Sequence, residues 1–417
     1  MTLPTPIVLD CDPGHDDAMA ILLAAAHPAI ELLGITTVSG NGSLEKVTYN
    51  AQRICALANL TVPIAKGAND PMAGKASAAP TIHGATALDG AELPEPTFEL
   101  SPLSAVELIA KLVRDCDPGH DDAMAILLAA AHPAIEHLGI TTVSGNGSLE
   151  KVTYNAQRIC ALANITVPIA KGANDPMAGK ASAAPTIHGA TALDGAELPE
   201  PTFELSPLSA VELIAKLVRD CDRKVTLIPT GPLTNIAMFL QAYPELHDRI
   251  EHISFMGGST ERGNWTPYAE FNIWADPEAA DIVLRSGLPL IMSGLNITHQ
   301  ALATSEVLDR ISKLDTKLAH TIVDLLKFFA DTYRDVFGMP DPPVHDPVAL
   351  AIIIDMTVAK LVSAPVSVEL NGELTRGATV VDLHGTTGQK ANVDVAMELD
   401  VEKFWNMLID AIDALGA

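Results

Sequence analysis

The stretch PIVLDCDPGHDDAMAILLAAAH at residues 6–27 decides the fold. It opens with a short apolar run typical of a buried strand, and after a Pro-Gly turn it continues into an apolar pattern long enough for a helix. Short β-branched runs and helical patterns alternate in the same way along most of the chain. This alternation predicts an α/β fold with a mostly parallel central sheet flanked by helices, a Rossmann-like open sheet, in which ligands bind beyond the carboxyl ends of the strands.

The same patterns predict where the elements lie. Strands are predicted at 6–10, 32–40, 62–67, 224–230, 252–258 and 288–294. Helices are predicted at 16–27, 43–59, 101–114, 233–243 and 277–287.

The chain contains an internal tandem duplication of about 105 residues. Residues 10–114 (the first copy) and 115–219 (the second copy) differ only at Leu32 against His137 and at Leu60 against Ile165. Two copies with so long a period cannot form a solenoid. We therefore expect one α/β domain, in which 1–114 is the N-terminal part, 115–219 is largely an insertion, and 220–417 is the C-terminal part.

Net charge, cysteine spacing and the N-terminal sequence restrict which partners and which cellular compartment are expected for this protein. The formal net charge of −26 repels phosphate backbones and anionic lipids, which argues against nucleic acid and membranes as partners. The five cysteines show neither a CxxC spacing nor a disulfide pattern, and the N-terminus has no basic segment typical of a secretion signal. These features predict a cytoplasmic protein that acts on a small molecule.

The octet DCDPGHDD at 10–17, which recurs at 115–122, places four carboxylates where a strand ends and a helix begins. Asp10 and Asp12 lie two residues apart and share one face of the strand, and the Pro-Gly turn can bring Asp16 or Asp17 to the same point. Acidic residues at a helix start can also be simple caps. Capping does not account for the two on the strand, so a divalent cation among the carboxylates is the favoured interpretation.

These residues carry a resemblance to a known family. DCDPGHDDA at 10–18 resembles the signature of the nucleoside hydrolases, which are calcium-dependent ribonucleoside N-ribohydrolases. VSGN at 38–41, IHG at 82–84, TGPLTN at 230–235 and VHDP at 344–347 continue the resemblance in order. The segment GNWTPYAEFN resembles the pyrimidine-preferring branch. The resemblance implies hydrolysis of uridine or cytidine, and possible use of inosine, in a homodimer or homotetramer unless the duplicated segment blocks assembly.

The resemblance also implies a site. Ca²⁺ would be bound by Asp12, Asp17, the backbone carbonyl of Thr234 and Asp346. Asp12 would also be the general base. His345 lies beside the presumed ligand Asp346, so it is in a position to protonate or polarise the departing base. The residues implied for substrate binding are Asp16, Asn41, Asn264, Glu270 and Asn272. His83, in the loop after the third predicted strand, is a further candidate for contact with the base, and a surface role is the alternative.

Both copies offer an octet, but the downstream residues of this site occur only once, so one complete site can form. The apolar run PIVL precedes Asp10, whereas IAKLVR, which reads as the end of a helix, precedes Asp115. We therefore expect the first copy to complete the sheet. The alternative uses the second copy, with Asp117, Asp121, Asp122, Asn146 and His188 in the site.

The sequence is also compatible with two other functions. Asp10-x-Asp12 could be the nucleophile and acid-base pair of an aspartyl-phosphate phosphatase. The duplication could also leave a catalytically dead relic that binds only calcium or ribose.

Overall fold

The computed structural model describes residues 5–13, 15–27, 30–37, 41–66, 86, 88, 93–96, 100, 110–132, 134–181, 185–221 and 223–416. The chain divides into two compact units, Met1–Ala110 and Lys111–Ala417. The boundary between the units lies four residues before the junction of the two sequence copies, which is between residues 114 and 115.

The first unit contains a small parallel sheet with strand order β1-β2-β3. Its elements are β1 (Thr5–Cys11), α1 (His15–Ala26), β2 (Ile30–Thr37), α2 (Leu44–Leu57) and β3 (Ile64–Lys66). Apolar side chains from these elements, including Ile21, Ile35, Ile54 and Ile64, form its core.

The second unit begins with the same succession of elements. These are β4 (Ala110–Cys116), α3 (His120–Ala131), β5 (Ile135–Thr142), α4 (Leu149–Leu162), β6 (Ile169–Lys171), α5 (Pro185–His188) and α6 (Ala210–Asp220). The chain then continues with β7 (Val225–Pro229), α7 (Thr234–Ala242), β8 (Ile250–Met256), α8 (Phe271–Ala275), α9 (Pro277–Leu284), β9 (Leu290–Ser293), α10 (Leu295–Thr298), α11 (Ser305–Ser312), α12 (Lys317–Phe337) and α13 (Asp346–Ile354). The last elements are β10 (Ala359–Ala364), β11 (Val366–Val368), β12 (Thr379–Val381), β13 (Val393–Leu399) and α14 (Val401–Gly416).

The second unit contains an eight-stranded sheet with the order β10-β13-β9-β8-β7-β4-β5-β6. The pairings β13–β9, β9–β8, β8–β7, β7–β4 and β5–β6 are parallel, and β10 pairs antiparallel with β13. The prediction of a mostly parallel α/β sheet is confirmed. The chain runs outward from β4 through β5 to β6 and then returns to β7 on the other side of β4. The carboxyl ends of β4 and β7 are therefore a topological switch point, where open α/β sheets bind ligands.

The two copies of the helix HDDAMAILLAAA have different surroundings. In α3 ten residues are buried, and the helix packs against α13 and α14. In α1 only Ile21 and Ala24 are buried, and Met19 is 65% exposed whereas its counterpart Met124 is 1% exposed. The same apolar sequence therefore forms core in the second unit and leaves a partly solvated face in the first.

The heptapeptide AKLVRDC occurs twice and adopts two secondary structures. At 110–116 it forms strand β4, which pairs with β7 from Leu112 to Asp115. At 215–221 it forms the last turns and the C-cap of α6, a helix that starts with a capping box between Ser209 and Glu212. The tertiary partners decide the outcome, because local propensity is a weak prior that packing overrides.

This strand corrects two sequence-based expectations. The predicted helix at 101–114 is wrong at its end, where residues 110–116 form β4; residues 101–109 lie outside the described part of the chain. The expectation that the first copy completes the sheet is also wrong, since β4 and not β1 pairs with β7. The chain continues from β4 through the second copy to α6 and β7. Within β4, Nη2 of Arg114 donates to Thr230 Oγ1 at 2.9 Å.

The expected domain boundaries change accordingly. Residues 115–219 are not a peripheral insertion, because they supply β5, β6 and the end of β4 in the large sheet. The additional copy of the repeat lies in the first unit. Among the helices that the structure describes, none has the length and apolar character needed to cross a bilayer.

Candidate active site

The carboxyl end of β4 leads directly into α3 through a tight turn. Asp117-Pro118-Gly119 separates the strand from the helix, and Asp121 and Asp122 lie in the first turn of α3. The Gly119 N–H donates to Asp122 Oδ2 at 3.2 Å, which fixes the helix start. The strand, turn and helix thus bring the acidic side chains of the second octet to the switch point of the sheet.

Three buried carboxylates converge there. Asp121, Asp122 and Asp346 each offer an oxygen, and these oxygens lie within 4.8 Å of one another. Asp346 comes from the first turn of α13. We call these three residues the carboxylate cluster. All three are buried, and Asp122 is fully so.

Burial raises the pKa of every carboxyl group in the carboxylate cluster, and in two of them neighbouring negative charge adds to the effect. The pKa of Asp121 rises to about 7, first through burial and then through Asp122. The pKa of Asp346 rises well above its usual value for the same two kinds of cause. A buried group of this kind is stabilised either by a proton or by a cation.

The chemistry of the carboxylate cluster fits a divalent cation. Its donors are hard oxygen atoms, which Ca²⁺ and Mg²⁺ prefer. Asp121 Oδ1 is buried and has no hydrogen-bond partner among the described residues. A buried acceptor without a donor is costly, and a metal ion would satisfy it.

Asp117 is held beside the carboxylate cluster by the loop after β5. Its Oδ2 accepts the Asn146 N–H at 2.7 Å, and its carbonyl accepts Asn146 Nδ2–H at 3.1 Å. Two glycines enclose the carboxylate: a Cβ on Gly145 would lie 2.0 Å from Asp117 Oδ2, and one on Gly231 would lie 2.6 Å from Oδ1. The backbone approaches Asp117 so closely that only glycine fits at these two positions.

Arg114 of β4 reaches into the same region. Its side chain is fully buried, and its Nη2 donates to Thr230 Oγ1 at 2.9 Å and lies 3.6 Å from Asp122 Oδ1. Thr230, which follows β7, in turn donates to Asp122 Oδ1 at 2.7 Å. The Nε and Nη1 atoms of Arg114 are buried without a partner among the described residues.

The neighbouring Asp115 links the end of β4 to adjacent elements through hydrogen bonds. Its Oδ1 accepts from Thr141 Oγ1 and from Asn235 Nδ2, each at 2.7 Å. Asn235 Nδ2 also donates to the carbonyl of Thr142 at 3.0 Å. This network ties β4, β5 and α7 together beneath the carboxylate cluster.

A pocket opens next to the carboxylate cluster and combines polar and aromatic walls. Asp121, Asp346, Asn146 and Thr230 line one side. The other lining residues are Ile187, His188, Met256, Asn264, Trp265, Glu270, Phe271, Asn272, Phe329, Tyr333, Phe337 and His345. A few convergent polar groups in a largely apolar cleft are typical of a small-molecule site.

Glu270 and Asn272 are fixed in this pocket by main-chain hydrogen bonds. Glu270 accepts three backbone N–H groups, from Gly258, Asn272 and Ile273, at 2.9, 2.9 and 3.1 Å. Burial nevertheless raises the pKa of Glu270 to about 7. Asn272 Nδ2 donates to the carbonyls of Thr230 and Met256, and Asn264 Oδ1 accepts the Phe271 N–H.

His345 lies immediately before Asp346, and both of its ring nitrogens lie within hydrogen-bond distance of a hydroxyl group. Nδ1 lies 2.7 Å from Thr298 Oγ1 and Nε2 lies 2.8 Å from the Tyr333 hydroxyl. Burial lowers the pKa of His345 well below its usual value and raises that of Tyr333 well above. The imidazole is therefore neutral and the phenol protonated, so a chain of exchangeable protons leads into the pocket.

His188 from α5 adds a second imidazole to the pocket. Its Nδ1 lies 3.1 Å from Nδ1 of His120, and both rings stack with Phe329. His120 Nε2 lies 2.7 Å from the Asp194 carbonyl, which can only accept, so Nε2 carries the proton of the neutral ring. Burial lowers the pKa of His120 to about 4.

His137 marks one of the two differences between the copies. It occupies β5, where the first copy has Leu32 in β2. The residue is partly exposed, but both ring nitrogens are enclosed and neither makes a hydrogen bond of normal geometry to the described residues. Burial, followed by the charge of Arg114, lowers the pKa of His137 to about 3, and the backbone of Gly139 opposes this shift.

We expect His137→Leu to stabilise the protein more strongly in acid. Because the folded pKa lies below the unfolded value of about 6.5, the unfolded chain binds a proton that the folded chain does not between these two values. Stability due to this group is therefore lost as the pH falls below about 6.5. The gain in free energy of unfolding of His137→Leu over the parent should increase by about 2 kcal/mol from pH 7 to pH 5 in urea titrations. The control is Ile165→Leu, and a gain that does not change with pH would contradict the prediction.

The structure places the predicted site residues in two groups. Asn264, Glu270, Asn272, His345 and Asp346 meet in the pocket with the second-copy residues Asp121, Asn146 and His188. Asp12, Asp16, Asp17 and Asn41 belong to the first unit, where the Asn41 N–H donates to Asp12 Oδ2 at 2.7 Å, as Asn146 does to Asp117. His83 lies outside the described residues. Thr234 starts α7 and its hydroxyl donates to Asp276, while its carbonyl as a metal ligand stays a prediction.

Sequence reasoning did not assign a site role to Arg114, Thr230 or His120. Thr230 stands at the end of a predicted strand, which is the signal that could have selected it. Arg114 ends the run IAKLVR, whose pattern predicts the end of a helix. Its partners Asp122 and Thr230 are 8 and 116 positions away in sequence, so their contact is visible only in the fold.

Comparison with known proteins decides the family. The sequence model of the family described as "Inosine-uridine preferring nucleoside hydrolase" matches residues 7–114 and again residues 112–406. The chain belongs to the nucleoside hydrolase family. The second match spans the large sheet, the carboxylate cluster and the pocket, whereas the first covers only the additional copy.

Individual nucleoside hydrolases agree with this assignment. A pyrimidine-specific ribonucleoside hydrolase RihA from Shewanella sp. (strain ANA-3) is 45% identical over 303 residues, which cover 72% of this chain and 95% of the relative. The protein of the same description from Photobacterium profundum is 43% identical over 72% of this chain and 98% of its own length. The solved structure of a purine-preferring ribonucleoside hydrolase from Gardnerella vaginalis superposes with a TM-score of 0.69 and 33% identity, covering 73% of this chain and 99% of that chain. The expectation of a ribonucleoside hydrolase is thereby confirmed.

Proposed function

We propose that this nucleoside hydrolase cleaves the N-glycosidic bond of pyrimidine ribonucleosides in the pocket of its second unit, with the aid of Ca²⁺. The observation that carries the proposal is the carboxylate cluster at the switch point of the sheet, beside a pocket that contains Glu270, Asn272 and two histidines. The products would be ribose and the free base.

The metal would be held by the second octet and its distant partner. Asp122 and Asp346 of the carboxylate cluster would bind it, together with Asp117 and the Thr234 carbonyl. The unsatisfied Oδ1 of Asp121 points to a place for the ion or for a ribose hydroxyl. A bound divalent ion lowers the pKa of a water molecule and gathers negative oxygens around one charge. An irregular set of carboxylate and carbonyl donors favours Ca²⁺ over Mg²⁺, which demands near-ideal octahedral geometry.

Other side chains of the pocket would accept the proton of water, bind the sugar and assist departure of the base. Asp117, held by Asn146, would accept the proton of the attacking water. Asn264, Glu270 and Asn272 would hold the sugar, and the negative charge of the site would stabilise the oxocarbenium character that develops on ribose. His345, supplied with a proton path through Tyr333, would protonate or polarise the departing base, and His188 would contact it from α5.

The base preference rests on the relatives. The proteins described as pyrimidine-specific are 43–45% identical to this chain, whereas the purine-preferring structure is 33% identical. Assembly as a homodimer or homotetramer and a cytoplasmic location remain proposals. Size-exclusion chromatography with light scattering would measure the state of assembly.

The function is tested by measuring the release of reducing sugar from uridine, cytidine and inosine. We expect turnover of uridine and cytidine to exceed that of inosine. Activity should fall to background after treatment with a chelator and return when Ca²⁺ is added. Activity unaffected by thorough removal of metal would contradict the role of the ion.

Two other outcomes of the same assay would identify the alternatives. Release of phosphate from phosphomonoesters without sugar release would support a phosphatase. Binding of calcium without turnover of any nucleoside would support an inactive relic.

A further inference from the structure

The carboxylate cluster already has a positive charge beside it. Arg114 is fully buried, and its Nη2 lies 3.6 Å from Asp122 Oδ1. A guanidinium group keeps its proton at any pH at which proteins are folded. The site that would bind a metal cation therefore contains a permanent cation supplied by the protein.

This charge is not needed to build the strand. Leu9, at the end of the apolar run PIVL, holds the position before the first octet that Arg114 holds before the second, and β1 pairs with β2 in parallel. Two of the three guanidinium nitrogens of Arg114 have no partner among the described residues, which is unfavourable for a buried cation. The contacts with Thr230 and Asp122 are therefore what compensates its burial.

We propose that Arg114 lowers the affinity of the carboxylate cluster for a divalent cation and so sets the metal concentration at which this enzyme is loaded. A metal ion bound to Asp122 shares that carboxylate with the guanidinium. The two cations repel each other across a buried region, where charge interactions are stronger than in water. This inference rests on the proposed metal site and deepens it.

The duplication explains how such a residue came to lie there. Arg114 has the same sequence neighbours as Arg219, which lies in α6, is 53% exposed on its side chain and pairs with Glu245. A side chain suited to the surface of a helix now precedes the octet of the second unit. Arg219 is consequently a matched control within the same chain.

The test is calorimetric titration of Ca²⁺ into the metal-free, full-length protein. Arg114→Leu introduces the residue that precedes the first octet, Arg114→Gln keeps a hydrogen-bond donor without the charge, and Arg114→Lys keeps the charge. We expect both neutral variants to bind Ca²⁺ with a Kd lower by about tenfold or more, which corresponds to about 1.4 kcal/mol. Arg114→Lys and Arg219→Leu should retain the Kd of the parent to within about twofold.

The outcomes separate the inference from the function on which it rests. If the parent binds Ca²⁺ and neither neutral variant binds it more tightly, the inference is overturned and the metal site stands. If no protein in the series binds Ca²⁺, the proposed metal site fails as well. Should Arg114→Leu fail to fold, Arg114→Gln decides the question, because its amide retains an N–H donor in the buried strand.

Discussion

Asp117→Asn is expected to reduce kcat for uridine hydrolysis by about a thousandfold or more, whereas Asp12→Asn leaves it within about twofold of the parent. Asp117 lies in the unit that contains Asp346 and the pocket, and an amide there can neither accept a proton nor contribute charge to a metal site. Asp12 has the same sequence neighbours but lies in the first unit. Steady-state kinetics with uridine measures both variants.

The pair of variants is its own control, since each places the same substitution in the same octapeptide. Circular dichroism should show that both proteins fold. If Asp12→Asn were inactive and Asp117→Asn active, the first copy would occupy the catalytic position in solution, and the assignment of the site to the second unit would be wrong.

Gly145→Ala is expected to reduce kcat/KM by about a hundredfold or more without unfolding the protein. The added methyl carbon would lie 2.0 Å from Asp117 Oδ2. The carboxylate cannot simply move aside, because Asn146 holds this oxygen at 2.7 Å and the backbone of Gly231 blocks the opposite side. Asp117 must therefore leave the position from which it acts, and a displacement of that size is costly in catalysis.

Gly40→Ala, at the equivalent position of the first copy, is the matched control and should have kinetics like those of the parent. Thermal unfolding should show that Gly145→Ala retains a cooperative transition. Unchanged kinetics for Gly145→Ala would mean that catalysis tolerates a displacement of Asp117. That result would contradict the role of Asp117 as general base.

The sequence was sufficient for the class of fold and for the residues that occur once. Alternating strand and helix patterns predicted the parallel sheet, and Glu270, Asn272 and His345 do meet in one pocket. These inferences succeed because periodicity reports on burial and because the carboxyl ends of parallel strands share one edge.

The choice between the copies could not be made from local sequence. The apolar run before Asp10 favoured the first copy, and the charged run before Asp115 disfavoured the second. The second octet is used because of interactions that form only in the fold. Arg114 can lie in a buried strand because it donates a hydrogen bond to Thr230 and forms an ion pair with Asp122. Interactions between residues so distant in sequence leave no local signal.

The two copies of AKLVRDC provide an internal standard for spectroscopy. Seven consecutive residues are chemically identical at 110–116 and 215–221, yet one set forms a strand and the other belongs to a helix and its cap. Any difference in chemical shift or amide exchange between Val113 and Val218 therefore reports on environment alone, free of the usual correction for residue type and neighbours. Labelling valine in this one protein would measure how far surroundings override intrinsic preference.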